Sequence, residues 1–117
     1  MQVTPIKDTI SIDDVEKLDV RIGTILSVDE IASSKKLMRL TVDFGDHTRT
    51  IVAGIKKERE NPLEIEGLQA LFVVNLARQT LAGVESEGML FDIGYADGLT
   101  PVLAVPEKPL PNGARAG

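Results

Sequence analysis

Met38, Leu40, Val42 and Phe44 alternate with Arg39, Thr41 and Asp43 and then meet Gly45-Asp46, and no other segment constrains the fold of this chain as tightly. A period of two puts the apolar side chains on one face of a strand and the polar ones on the other, which a helix cannot do. The glycine that follows signals a tight turn, and Thr48 to Val52 returns beside the first strand. The segment therefore predicts a hairpin with Arg39 and Arg49 at its outer positions.

The same period governs Val20 to Asp29, where Val20, Ile22, Leu26 and Val28 alternate with polar or small residues and slip once between Gly23 and Ile25. A slip at a glycine reads as a β-bulge, the device that curls a strand tightly enough to close a small barrel. Upstream, Ser11-Ile12-Asp13-Asp14 has the form of a capping box, starting a helix of about two turns with Val15 and Leu18 facing inward. Lys56 to Gly67 reads as a loop with a little helix. Leu71 to Leu76 follows as a buried strand interrupted by Asn75, and Gly88 to Ile93 as a fifth strand. Leu99 to Val105 reads as an edge strand, since Pro101 is tolerated only where no ladder donor is needed. The order is that of an all-β, five-stranded OB-fold barrel with a short N-terminal helix and an insertion between strands three and four. Residues 1–117 form one domain, with a core over 18–93 and a C-terminal extension over 94–117.

A chain of 117 residues buries roughly two thirds of its unfolded surface, enough for a single core without disulfide or metal support. It contains no cysteine, which excludes thiol chemistry, and no apolar run approaches the roughly 18 residues of a membrane span. A cytoplasmic location is expected. The net charge of -5 argues against indiscriminate attraction to polyanions, but its distribution is uneven: Lys35 to Arg59 holds seven basic residues and three acidic ones. That segregation predicts one positive face on an otherwise repelling surface.

Catalytic arrangements are poorly supplied. His47 is the single histidine and falls in the hairpin turn, where a general base lacks fixed geometry. Asp43, Asp46 and His47 are too loosely spaced to specify a metal site. Glu85 and Glu87 read as solvated carboxylates, and between Gly83 and Gly88 they stand where a phosphate loop would need amides. The three phenylalanines sit at apolar strand positions and are expected in the core, leaving Tyr95 as the exposed aromatic and disfavouring extended single-strand binding by stacking. Recognition of a folded RNA by shape fits better. Asn75, within an apolar run, either ties strands together or faces a ligand.

Taken in order, Leu18-Asp19-Val20-Arg21-Ile22-Gly23, Lys36-Leu37, Val42-Asp43-Phe44-Gly45, Arg49 to Ile55, Gly67, Val74-Asn75-Leu76 and Gly83 to Met89 resemble the tRNA-binding domain family. This module is appended to many methionyl-tRNA synthetases and is also found as a free-standing protein. The resemblance covers about residues 12 to 115. It implies a non-catalytic, cofactor-free protein that binds tRNA with little sequence selectivity, forms a homodimer through the N-terminal helix and the C-terminal extension, and has a methionyl-tRNA synthetase as a possible associate. By position it places RNA contacts at Lys36, Asn75, Ser86 and Met89 and phosphate contacts at Arg39 and Arg49, with Arg21 structural. After Asn75 the family carries a proline and several basic residues; here only Arg78 remains, and Lys56 to Glu60 replaces a Tyr-rich stretch, so weaker affinity is implied. A related export chaperone of the same fold, binding unfolded polypeptide, is the alternative. Val52-Ala53-Gly54-Ile55 and Gly88-Met89 favour the tRNA-binding branch.

Overall fold

The computed structural model describes residues 1–117. A curled antiparallel sheet runs β3-β2-β1-β4-β7, built from β1 (Val20–Glu30), β2 (Met38–Asp43), β3 (Thr48–Ala53), β4 (Gln69–Val73) and β7 (Met89–Leu90). Strand β1 organises it, pairing with β4 through Val20 to Thr24 and with β2 through Thr24 to Glu30. The β2–β3 hairpin follows the alternation: Met38, Leu40, Val42 and Phe44 are all buried. At its turn the Phe44 amide donates to the His47 carbonyl at 2.9 Å. Phe44 meets Phe72 edge to face at 5.6 Å between ring centroids, joining the two halves of a core that also holds Ile25, Leu40, Ile51 and Ile55.

The bulge in β1 lies between Ile25 and Ser27, three residues beyond the glycine expected to make it. Leu26 is turned out to solvent while Ile25 takes the fully buried position, so the inward role expected of Leu26 is corrected. Gly23 serves a different end. A Cβ there would stand 2.5 Å from Val42 Cγ1 and 2.9 Å from Phe44 Cε1, so its absence lets β1 pass directly over the β2 side chains.

Other expectations need correction. The capping box forms as expected, with the Asp14 amide donating to Ser11 Oγ at 3.3 Å. The helix α1 (Ile12–Glu16) nevertheless buries no residue, and Val15 and Leu18 lie exposed. The buried strand around Leu71 begins at Gln69 and ends at Val73, leaving Leu76 exposed. The fifth strand shrinks to Met89–Leu90. Leu99 to Val105 contributes one isolated bridge, Ile93 to Val102, in place of an edge strand. Two features went unanticipated: a small hairpin of β5 (Gln79–Leu81) and β6 (Val84–Ser86), and β8 (Arg115–Ala116). Strand β8 pairs with Val20 and Arg21, filling the stretch of β1 edge that β2 leaves open. The insertion contributes only a 3-10 turn, Pro62–Ile65.

Gly23→Ala is expected to destabilise the protein by about 1 to 3 kcal/mol, because both clashing atoms are buried and neither can move without repacking. Urea denaturation of the variant beside the parent protein measures this, and an unchanged midpoint would contradict the close-approach argument.

Candidate nucleic-acid interface

The segment from Ser86 to Met89 closes the sheet. The Glu87 amide donates to the Thr50 carbonyl at 2.8 Å, and Glu87 Oε1 accepts from the Thr50 amide at 3.0 Å. Ser86 Oγ accepts from the Val52 amide at 3.0 Å and donates to the Gly88 carbonyl at 3.0 Å. Arg49 Nη1 bridges the Val74 and Glu87 carbonyls at 2.7 and 3.0 Å. The outer edge of β3 is thus satisfied largely by side chains. Ser86 is only 4% exposed, and the carboxylate of Glu87, expected to be solvated, belongs to this seam.

Beside the seam lies a groove of about 340 Å³, lined among others by Val52, Leu76, Leu81, Ser86 and Met89. Arg39 stands directly across from Val52 in the β2–β3 ladder, and residues opposed in this way share a face. Arg39 is exposed and makes no ion pair. Ser86, Met89 and Arg39 are therefore brought to one side of the barrel, with the apolar side chains forming the floor and the arginine on the adjoining strand surface.

The remaining expected residues are placed otherwise. Asn75 is exposed, not buried; its Oδ1 accepts from the Asp19 amide at 2.9 Å and its Nδ2 donates to the Lys17 carbonyl at 2.7 Å, tying the end of β4 to the residues leading into β1. Arg49, besides its two carbonyls, donates from Nε to His47 Nε2 at 2.9 Å, and His47 Nδ1 lies 2.6 Å from Asp46, which holds the Asp46 carboxyl below its usual range. Arg78 lies 3.5 Å from both Glu85 and Glu87. Lys36 sits in the β1–β2 loop with its stem along Gly54, where a Cβ would come within 3.0 Å of Lys36 Cε. Its ammonium lies 5.9 Å from the Tyr95 ring centroid. Arg21, hydrogen-bonded twice to Asp19 at 2.8 and 3.1 Å, keeps that carboxyl below its usual range with help from Arg115.

The basic cluster divides in two. Lys56 donates to the Ser34 carbonyl and lies 3.6 Å from Glu30. Arg59 is 12% exposed and lies within 4 Å of Glu58 and Glu64. Burial, reinforced by the neighbouring charge of Asp92, pushes the Glu58 carboxyl up. With Arg49 also turned inward, Lys35, Lys36, Arg39 and Lys57 are what the cluster presents to a polyanion. Phe91 was missed by the reading of the sequence: it is 45% exposed, not in the core. A period of two from Leu90, which the structure buries, turns both Met89 and Phe91 outward.

Ser86→Ala leaves the buried Val52 amide and Gly88 carbonyl without a partner, so it is expected to cost about 1 to 3 kcal/mol of stability with no ligand present. Thermal denaturation of the free protein checks this; an unchanged melting temperature would mean that the seam does not depend on the hydroxyl.

No helix is long and apolar enough to cross a membrane. The family described as "Putative tRNA binding domain" matches residues 20–115. The chain is 49% identical over 104 residues to a methionine–tRNA ligase of Methanococcoides burtonii, covering 87% of this chain and 15% of that enzyme. To the ligase of Archaeoglobus fulgidus it is 42% identical over 109 residues, covering 93% of the chain and 16% of the enzyme. The chain thus spans about 15% of the length of the curated relatives it matches. Among solved structures, a MetRS related protein from Pyrococcus horikoshii superposes with a TM-score of 0.86 at 37% identity, covering 95% of this chain and all of that one. A chaperone CsaA from Bacillus anthracis superposes with a TM-score of 0.81 at 32% identity, over 94% of this chain and all of that one. With the family match extending through nearly the whole fold, from β1 to β8, this chain belongs to the tRNA-binding domain family.

Proposed function

We propose that the protein is a non-catalytic, cytoplasmic tRNA-binding module that recognises the shape of folded tRNA, with the groove beside Met89 as its docking floor and the neighbouring cations on the phosphates. The observation that carries this is Arg39: an exposed arginine on the groove side of the β2–β3 face, free of the acidic partners that occupy Arg59 and Arg78. Lys35, Lys36 and Lys57 extend the positive charge, while the acidic remainder of the chain repels RNA from other directions. Held near a methionyl-tRNA synthetase, such a module raises the local concentration of tRNA without supplying chemistry.

Titration of labelled bulk tRNA by fluorescence anisotropy at several salt concentrations tests the proposal. Binding should weaken with salt, and Arg39→Ala should lower the log-log slope by about one unit. Arg78→Ala should change it little, since that guanidinium already faces two carboxylates. A second reading draws on the apolar floor of the groove and the chaperone-like neighbour: an extended polypeptide would lie there, and its binding would strengthen or hold steady with salt. Absence of tRNA binding at low salt would favour that reading.

We also propose a homodimer. Val3, Ile6, Ile10 and Ile12 precede or open α1 and lie exposed, as do Val102 and Val105, an apolar display that monomeric proteins rarely present. Ile6 is 99% exposed, so Ile6→Glu together with Val105→Glu leaves the fold intact and should convert a dimer to a monomer in sedimentation equilibrium. A parent protein that sediments as a monomer overturns the proposal.

A further inference from the structure

We propose that the cleft between Phe91 and Tyr95 is a subsite for one unpaired purine nucleotide, its base stacked on Tyr95 and its phosphate on Lys36. The proposal rests on the RNA-binding reading above and names the part of the RNA that this edge of the site engages. The cleft holds about 300 Å³ and is lined by Met89, Phe91, Asp92, Tyr95, Ala96 and Asp97 among others. Met89 also lines the groove beside the seam, so the two depressions adjoin across a single side chain and one RNA can occupy both.

Tyr95 is 67% exposed, in a 3-10 turn (Tyr95–Asp97) entered through Gly94 and left through Gly98, both left-handed. The ammonium of Lys36 lies above one face of its ring, within cation–π range. That contact depends on Gly54, which leaves room for the lysine stem. With the residue 67% exposed, the lysine contact leaves ring surface available to a planar ligand. Stacking on an exposed ring is the recognition mode that tolerates any base and rewards the larger ones. Lys36 then lies across the ring from the stacked base, where a phosphate of the backbone that passes the ring edge meets a cation.

Asp92 and Asp97 decide how the ligand lies. When ionised, carboxylates only accept hydrogen bonds, so they repel a phosphate and favour a base edge that carries an exocyclic amine. Burial pushes the Asp92 carboxyl up, and Thr4 Oγ1 donates to Asp97 Oδ1 at 2.9 Å. The base therefore points into the cleft and the phosphate toward Lys36. Adenine, guanine and cytosine present such an amine, and of these the two purines offer Tyr95 the larger ring; uracil presents a carbonyl in its place.

Tyr95 is the only tyrosine and the chain has no tryptophan, so intrinsic emission reports on this ring alone. Oligoadenylate should quench it saturably, oligouridylate of equal length should do so at least about fivefold more weakly, and acrylamide should quench it in the free protein. Tyr95→Phe should retain tRNA affinity, whereas Tyr95→Leu should lose at least about fivefold with no change in melting temperature. Emission that bound tRNA and oligoadenylate both leave unchanged would overturn the subsite while leaving tRNA binding intact. Quenching by oligoadenylate in a protein that binds no tRNA would keep the subsite and remove the reading on which it rests. A ring inaccessible to acrylamide, covered by a partner or by the chain itself, would also overturn it.

Discussion

The outer edge of β3 has no strand paired along its length, and the barrel depends on how that edge is closed. An uncovered edge leaves donors and acceptors in line, which lowers stability and invites pairing with another chain. Here the closure is one backbone hydrogen bond, Glu87 to Thr50, supplemented by the Ser86 hydroxyl, the Glu87 carboxylate and the Arg49 guanidinium. Side chains can bridge strands that converge at an angle too steep for a regular ladder. The chain leaving the seam then runs as Met89–Leu90, with Leu90 buried against the core and Met89 left on the groove. The apolar floor of the groove is thus a by-product of the closure: the bonds that satisfy β3 also fix which side chains face outward beside it.

The same economy governs charge. A positive patch counted along the chain is an upper bound on what a ligand meets, because arginines are also the side chains best suited to capping buried carbonyls and pairing with buried acids. Arg49 and Arg59 serve inside, and Arg78 is held between Glu85 and Glu87. Four cations of the Lys35–Arg59 cluster remain outward, so the proposed binding is short-range and oriented, with contacts other than phosphates supplying a larger share of the affinity. That shifts weight to the groove and to the exposed Phe91 and Tyr95.

The hairpin was legible in the sequence because its alternation is strict and both faces differ in polarity; Met38 to Phe44 admits one register. The capping box was legible because it is local, needing only Ser11 and Asp14. What could not be read were pairings set by distant partners. Strand β8 is two residues long and exists only because β1 has an unoccupied edge. The bulge falls at Leu26 and not at Gly23, in the part of β1 that pairs with β2 beyond the end of the β4 ladder at Thr24, an arrangement invisible in one strand. Asn75, Ser86 and Arg49 stand out in the sequence as polar residues within or beside apolar strands. Their partners, however, are the Lys17 carbonyl, the Val52 amide and the Val74 carbonyl, separated from them by tens of residues.

Those partners change what the motif residues mean. Ser86, Glu87, Arg49 and Asn75 are held by bonds internal to the fold, so a resemblance carried by them identifies the barrel and its closure more directly than its ligand. A seam of this kind can be shared among proteins whose open surfaces differ. On the proposed reading, ligand choice rests on outward residues that the closure positions but does not use, namely Arg39, Lys36, Met89, Phe91 and Tyr95. Substitutions divide accordingly. Those in the seam lower stability and reduce any binding as a consequence, whereas those on the open face alter affinity or selectivity at constant stability.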